Sequence, residues 1–219
     1  EFVFMRICRI GNGYKKSIDD SIHLIEYLHA KNIHNVKLYV IGAVEDSDLL
    51  ENYKNHTLVK KEIIVFLTDY IYTSEASKML YLADALIGTG RGLMEAASLS
   101  IPLLAINAKG NIPILLNNIN FENAFKTNFS ERNEFPDLDN EANLNNIVEL
   151  IQNENYYAEL SKFSKTVFEK HFDLNKVAEA YPSVYKQSTT GKRKLWKDTP
   201  LILKSIVNFY RSYLKTKSK

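Results

Sequence analysis

The sequence predicts an α/β fold: a parallel sheet with helices on both faces, followed by C-terminal helices. Two observations predict it. Nearly continuous apolar runs of strand length alternate with segments of helical period, and several runs stop at a glycine. Strands buried on both faces lose the in-out alternation of a half-exposed sheet, and parallel neighbours require a crossover between them.

Phe2 to Ile10 is the first apolar run. Ser17-Ile18-Asp19-Asp20 has capping-box spacing, and Ile18, Ile22, Ile25 and Leu28 follow on one helical face. Val36 to Ile41 is a second strand, closed by Gly42, with a short helix at Asp48–Tyr53 after it. Ile63 to Leu67 is a third strand and Ser74 to Tyr81 a helix. Ala85-Leu86-Ile87 is a fourth strand stopped by Gly88, Leu93–Leu99 a helix, and Pro102–Ile106 a fifth strand. From Asn117 to Asn146 the chain is rich in Asn and Phe and reads as loop with short helices. Helices are expected at Leu144–Leu150, Tyr156–His171 and Leu174–Tyr185, and Thr199-Pro200 starts a last one, Thr as N-cap and Pro at the first position. Residues 1–186 form the expected α/β domain, and 187–219 a linker and a basic amphipathic helix.

Composition bounds the function. With 45% hydrophobic and 25% charged residues over 219 positions, the chain carries one sizeable core. The single cysteine, Cys8, excludes a disulfide framework within the chain and a cysteine-built zinc site, and reads as a small buried hydrophobe suited to a reducing cytoplasm. No apolar stretch is long enough to span a membrane. The sequence opens inside an apparent strand, so it is expected to begin partway through a longer protein, or else to start with residues left by cloning. Residues 187–219 hold nine Lys or Arg and one acid, which leaves the rest net acidic.

Two loops lie where ligands bind an open parallel sheet, beyond the carboxyl ends of its strands. Gly88-Thr89-Gly90-Arg91-Gly92 joins the fourth strand to a helix whose free N–H groups suit phosphate, and Glu95 is placed in that helix's first turn, able to accept from a diol. A glycine turn with Glu95 complementing the helix dipole would read the same. Arg9-Ile10-Gly11-Asn12-Gly13-Tyr14-Lys15-Lys16 joins the first strand to its helix. Arg9, at the end of a buried strand, and a following lysine would clamp a diphosphate, or else Arg9 makes a salt bridge and the lysines are solvated.

Together these loops resemble the "glycosyl transferases group 1" family of the GT-B fold class, whose C-terminal half is Rossmann-like. The resemblance spans residues 3–185. It rests on Arg9 with Lys15 or Lys16, then Leu38-Tyr39-Val40-Ile41-Gly42, Ile64-Val65-Phe66-Leu67-Thr68 and Tyr81-Leu82-Ala83-Asp84. Glu95-Ala96-Ala97-Ser98-Leu99-Ser100-Ile101-Pro102-Leu103-Leu104-Ala105 completes it, and Gly88-Thr89-Gly90-Arg91 with Asn120–Phe129 points to a prokaryotic subgroup. Each piece is weak alone, whereas their order and spacing are specific. The departures are Ile87 where many members carry a second Glu, Ser100 in place of Gly, and an Arg-to-Lys spacing one residue longer than is common if Lys15 is the match.

The resemblance implies a donor domain for a nucleotide-diphosphate sugar, UDP- or GDP-linked, with retaining, metal-independent transfer to a glycan or lipid-linked acceptor and no further cofactor. Bacterial surface polysaccharide synthesis is the implied setting. Catalytic groups would be Arg9, Lys15, Lys16 and Glu95. Gly11, Thr68, Gly88, Thr89, Gly90, Arg91, Gly92, Lys109 and Gly110 would line the donor pocket. The acceptor site would belong to a facing N-terminal domain, and the isolated fragment would be nearly inactive. A non-catalytic nucleotide-binding or scaffolding module, or a sugar-nucleotide epimerase of related fold, is the alternative.

Other signals are set aside. Asp46-Ser47-Asp48 matches a metal-binding D-x-D, but N-capping explains it, and Asp137-Leu138-Asp139 reads as solvated loop. Gly88-x-Gly90-x-Gly92 follows the fourth strand, which does not suit a dinucleotide fold. The five histidines lack metal spacing and are expected on helix faces or in loops. In the tail, Ile202, Ile206, Phe209, Tyr210 and Tyr213 share a face opposite Lys204, Asn208, Arg211 and Lys215, with Trp196 and Lys192-Arg193-Lys194 before it. That is a membrane-surface pattern, which would place the protein in the cytoplasm and peripherally on the inner face of the membrane, or else a helix that packs on another domain. Nucleic-acid binding is not expected, since outside the tail the basic residues are not interleaved with a stacking surface.

Overall fold

The computed structural model describes residues 1–136, 138–176, 178, 182, 185, 199–200 and 202–209. They belong to two compact units, Glu1–Asp173 and Leu174–Lys219.

The first unit is built on a six-stranded sheet of order β3-β2-β1-β4-β5-β6, with β1 Phe2–Ile7, β2 Val36–Ile41, β3 Ile64–Leu67, β4 Ala85–Gly88, β5 Leu103–Ala105 and β6 Ile114–Leu115. β1 to β5 are parallel. β6 runs antiparallel to β5, pairing Leu104 with Leu115 and Ala105 with Ile114. The two-residue β6 is too short to show a period and is absent from the sequence-level expectation.

The order runs outward from β1 in one direction and from β4 in the other. The crevice beyond the carboxyl ends of β1 and β4 is therefore the switch point at which such sheets bind ligands. The register Phe4–Ala85, Met5–Leu86 and Arg6–Ile87 sets the end of β1 beside Gly88.

Successive side chains alternate faces. Phe4, Leu38, Val40, Ile87 and Leu104 pack on one side against α1 (Lys15–Ala30), α2 (Ser47–Lys54) and α7 (Asn140–Gln152). Met5, Ile41, Leu86, Leu103 and Ala105 pack on the other against α5 (Arg91–Ser98), α6 (Phe121–Lys126) and the end of α8 (Glu154–His171). α1 presents Ile18, Ile22, Ile25 and Leu28 at helical spacing, all buried, each stabilising by roughly 1.5–3 kcal/mol. Short helices α3 (Thr57–Lys60) and α4 (Tyr70–Thr73) flank β3.

Several local expectations are revised. Ser17 does not cap α1, which starts at Lys15; its hydroxyl donates to Tyr14 O at 2.8 Å and accepts from Arg6. The helix expected at Ser74–Tyr81 is a 3-10 segment, Ala76–Leu82. Asp46 does cap α2, accepting from Leu49 N at 2.9 Å, whereas Asp139, read as solvated loop, caps α7 by accepting from Glu141 N at 3.0 Å. His56 caps α3 through Nδ1.

The Asn-rich stretch is pinned by side-chain amides. Buried Asn143 accepts from Leu115 N at 3.0 Å and donates to Pro113 O at 3.0 Å, which fixes β6. Asn120 donates to Leu115 O at 2.9 Å, and fully buried Asn133 to Ile106 O at 3.2 Å.

In the second unit, residues 174–176, 199–200 and 202–209 are helical, with Ile202, Ile206 and Phe209 exposed. The rest of the expected basic amphipathic tail, including Lys192-Arg193-Lys194, Trp196, Tyr210, Arg211, Tyr213 and Lys215, lies outside the described residues. Among the described residues, no helix is long and apolar enough to cross a membrane.

Candidate functional site

The cleft begins where β1 ends. Cys8 N donates to Ile41 O at 3.0 Å and Ile10 N to Ala43 O at 2.9 Å, so the segment after β1 runs tight against Gly42. A Cβ on Gly42 would fall 1.7 Å from Cys8 O, and only glycine permits that approach.

Arg9 projects from this segment. The strand closes at Ile7, so Arg9 does not end a buried strand as expected; its side chain is 60% exposed. Nη1 donates to Glu45 Oε1 at 2.6 Å and Nη2 to Tyr14 Oη at 3.0 Å, with the guanidinium carbon 5.4 Å from the Tyr14 ring centroid. The Tyr14 hydrogen bond and the Glu45 charge hold its pKa above the ordinary value.

The cation that β1 buries is Arg6, 1% exposed. Nη2 donates to Ser17 Oγ at 2.8 Å and Nη1 to Ile87 O at 3.5 Å. The sequence held a signal for it, a charge flanked at two-residue spacing by apolar Phe4 and Cys8. Cys8 is itself a buried thiol whose pKa burial pushes up while Arg6 pulls the other way.

The opposite wall comes from β4. Gly88 is followed by Thr89 and by Gly90 at φ +53°, whose N–H donates to Phe129 O at 3.0 Å. α5 then starts at Arg91, with its first-turn N–H groups at the cleft. Glu95 stands in the second turn of α5, not the first, and pairs with Arg91 Nε at 3.1 Å.

Arg9 and Glu95 share one cleft of about 440 Å³, together with Gly88, Thr89, Arg91 and Gly92. A second lobe of about 620 Å³ shares Arg9, Tyr14 and Thr89 with the first and adds Gly90, Glu45 and Glu131. Tyr14, Glu45 and Glu131 were not singled out from sequence: Glu45 and Glu131 come from distant segments that only the fold brings to Arg9.

The remaining expected site residues line neither lobe. Lys15 donates to Asp19 at 2.5 Å. Lys16 donates to Asp20 at 2.6 Å and to Gly110 O at 2.7 Å, which ties the 109–110 loop to α1. Burial pushes the Asp20 carboxyl up, with Lys16 opposing. Lys109 pairs with Glu134 at 2.8 Å, Gly11 lies against Glu45, and Thr68 follows β3. Among the described residues, no group of three or more His, Cys, Asp or Glu is placed to hold a metal.

No protein-family model matches the sequence, and no curated protein matches it. Solved structures do. The pneumococcal O-GlcNAc transferase GtfA, in complex with UDP and GlcNAc, superposes with a TM-score of 0.58 at 16% identity over 85% of this chain and 35% of that one. HepE from Anabaena, in complex with UDP and glucose, gives 0.55 at 15% identity, over 85% and 48%. The C-terminal domain of the group 1 glycosyl transferase LpcC from Francisella tularensis gives 0.52 at 14% identity, over 78% and 87%. The chain thus spans a third to a half of the two longer proteins and nearly all of an isolated C-terminal domain. In fold the chain matches the Rossmann-like C-terminal half of these GT-B structures.

Proposed function

We propose that this chain is the donor-binding domain of a glycosyltransferase and holds a nucleotide-diphosphate sugar in the cleft between β1 and β4. One observation carries the reading: Arg9 and Glu95, from loops far apart in sequence, face a single cleft at the switch point of the sheet, where a helix N-terminus also opens. Arg9 and the α5 N–H groups suit a diphosphate, and Glu95 suits a ribose diol. UDP in the complexes of GtfA and HepE supports the same ligand class.

In this reading the cleft stabilises the negative charge that grows on the leaving diphosphate, using Arg9 and backbone N–H groups in place of a metal. Transfer retains the anomeric configuration, and the acceptor, a glycan or a lipid-linked saccharide, is presented by a facing domain. The basic tail brings the protein to the inner face of the membrane. Lys15 and Lys16 contribute only if they exchange Asp19 and Asp20 for phosphate.

Calorimetric titration of the chain with UDP, GDP and ADP tests the reading. One of them is expected to bind, and both Arg9→Ala and Glu95→Ala to weaken it. Failure of all three to bind, with the chain folded, refutes the donor domain and leaves a scaffolding module. In a transfer assay the isolated chain is expected to be nearly inactive.

A further inference from the structure

The second lobe of the cleft carries two carboxylates, Glu45, which is taken up by Arg9, and Glu131. Glu131 is about one-third exposed, lines that lobe beside Arg9 and Thr89, and is backed by the buried Arg6, Nη2 to Oε1 4.0 Å. Glu131 Oε1 and Arg6 Nε are buried, and neither has a hydrogen-bond partner among the described residues.

The segment that brings Glu131 there is held under strain. Asn128 and Phe129 sit at φ +53° and +54°, a region costly for a bulky side chain. Phe129 O accepts from Gly90 N at 3.0 Å, and Asn133 O accepts from Ala108 N at 2.8 Å, so both wings of the turn are tied down. A buried Arg facing a carboxylate is an expensive way to fill a core, and apolar side chains of similar volume do that as well or better. The arrangement instead fixes a carboxylate at the cleft wall.

Resting on the nucleotide-sugar reading above, we propose that Glu131 is a specificity residue that accepts hydrogen bonds from hydroxyls of the transferred sugar. A donor of this class has two polyhydroxylated rings joined by a diphosphate. The cleft has two lobes joined at Arg9, one walled by Glu95 and the other by Glu131. A carboxylate repels phosphate and pairs with uncharged hydroxyl donors, so Glu131 places the sugar, and not the diphosphate, in its lobe. Removing a charged partner of a sugar hydroxyl leaves that hydroxyl unpaired in the cleft.

The test compares UDP with UDP-glucose and UDP-N-acetylglucosamine, and GDP with GDP-mannose, by calorimetry on the full chain and on Glu131→Gln. The nucleotide diphosphate is expected to bind Glu131→Gln unchanged or tighter, while the ratio of sugar-conjugate to diphosphate affinity falls by about tenfold. The double variant Arg6→Met, Glu131→Leu removes both charges and is expected to lose the same ratio, which covers the case that Glu131→Gln fails to fold. An unchanged ratio, or an equal weakening of diphosphate and conjugate, overturns the role of Glu131 and leaves the donor reading standing. No binding of any nucleotide to the wild-type chain overturns both.

Discussion

Arg9 is held between Glu45 Oε1 at 2.6 Å and Tyr14 Oη at 3.0 Å, on the wall that the two lobes of the cleft share. Glu45 orients the guanidinium and at the same time offsets its charge. Glu45→Gln keeps an acceptor for Nη1 and removes the competing anion, so UDP or GDP is expected to bind about threefold tighter at low salt, with the gain lost at high salt. Arg9→Ala is expected to weaken binding at least about tenfold, and Arg9→Lys to recover little of it, since one ammonium cannot reproduce the fork. Unchanged affinity in Arg9→Ala places the diphosphate elsewhere.

The contact between Gly42 and Cys8 predicts a steep cost for the smallest side chain. Ala at 42 would set its methyl 1.7 Å from a backbone oxygen, and separating the strand ends is expected to cost about 4 kcal/mol or more. Gly92, on α5 with the nearest atom 3.9 Å from an added Cβ, provides the contrast: Gly92→Ala is expected to gain about 0.5–1 kcal/mol from helix propensity. Urea denaturation of both variants measures the difference, and equal midpoints would refute the steric argument.

Asn143 is the fastening of β6. Asn143→Ala leaves Leu115 N–H and Pro113 C=O buried without their partner, at about 1–3 kcal/mol for each group. Amide exchange at Leu115 is expected to accelerate before that at β1, because β6 is the edge strand and Asn143 holds it from outside the sheet. Protection at Leu115 that survives the substitution argues against this.

His171 packs among Phe121, Phe125 and Phe172, with its ring centroid 4.7 Å from that of Phe125. Burial and then Lys170 lower its pKa below the ordinary 6.5, with Glu122 opposing, and burial lowers that of His29 likewise. A lowered histidine pKa means that the unfolded chain takes up the proton first as pH falls. The stability from neutral His171 is therefore present above pH 6.5 and is lost as pH drops from there through the folded-state value. Thermal midpoints are expected to decline from pH 7 toward pH 5, less steeply in His171→Phe. An NMR titration that puts the His171 midpoint at or above 6.5 contradicts the assignment.

Much of the fold was legible because local pattern encodes which face a residue presents. The apolar runs at Val36–Ile41 and Ala85–Ile87, the helical stripe from Ile18 to Leu28, and the glycines that close β2 and β4 can each be read without knowing the partner. The loops of a parallel sheet imply that Arg9 and Glu95 face one cleft, and the structure brings them together. The partners of the lysines after Arg9 are not legible in this way. A short loop cannot reveal that Asp19 and Asp20, one helical turn on, capture both of them.

By itself, the sequence determined a twice-covered parallel sheet and a glycine-led helix that opens on a binding loop, because periods of 2 and 3.6 residues and missing side chains are local properties. Only the tertiary structure decided that β4 lies beside β1, that Arg6 and not Arg9 is the buried cation, that Ile114–Leu115 closes the sheet antiparallel, and that Glu131 reaches the cleft. Those outcomes depend on which distant backbone groups and charges satisfy one another once the chain is compact, and no local window contains both partners.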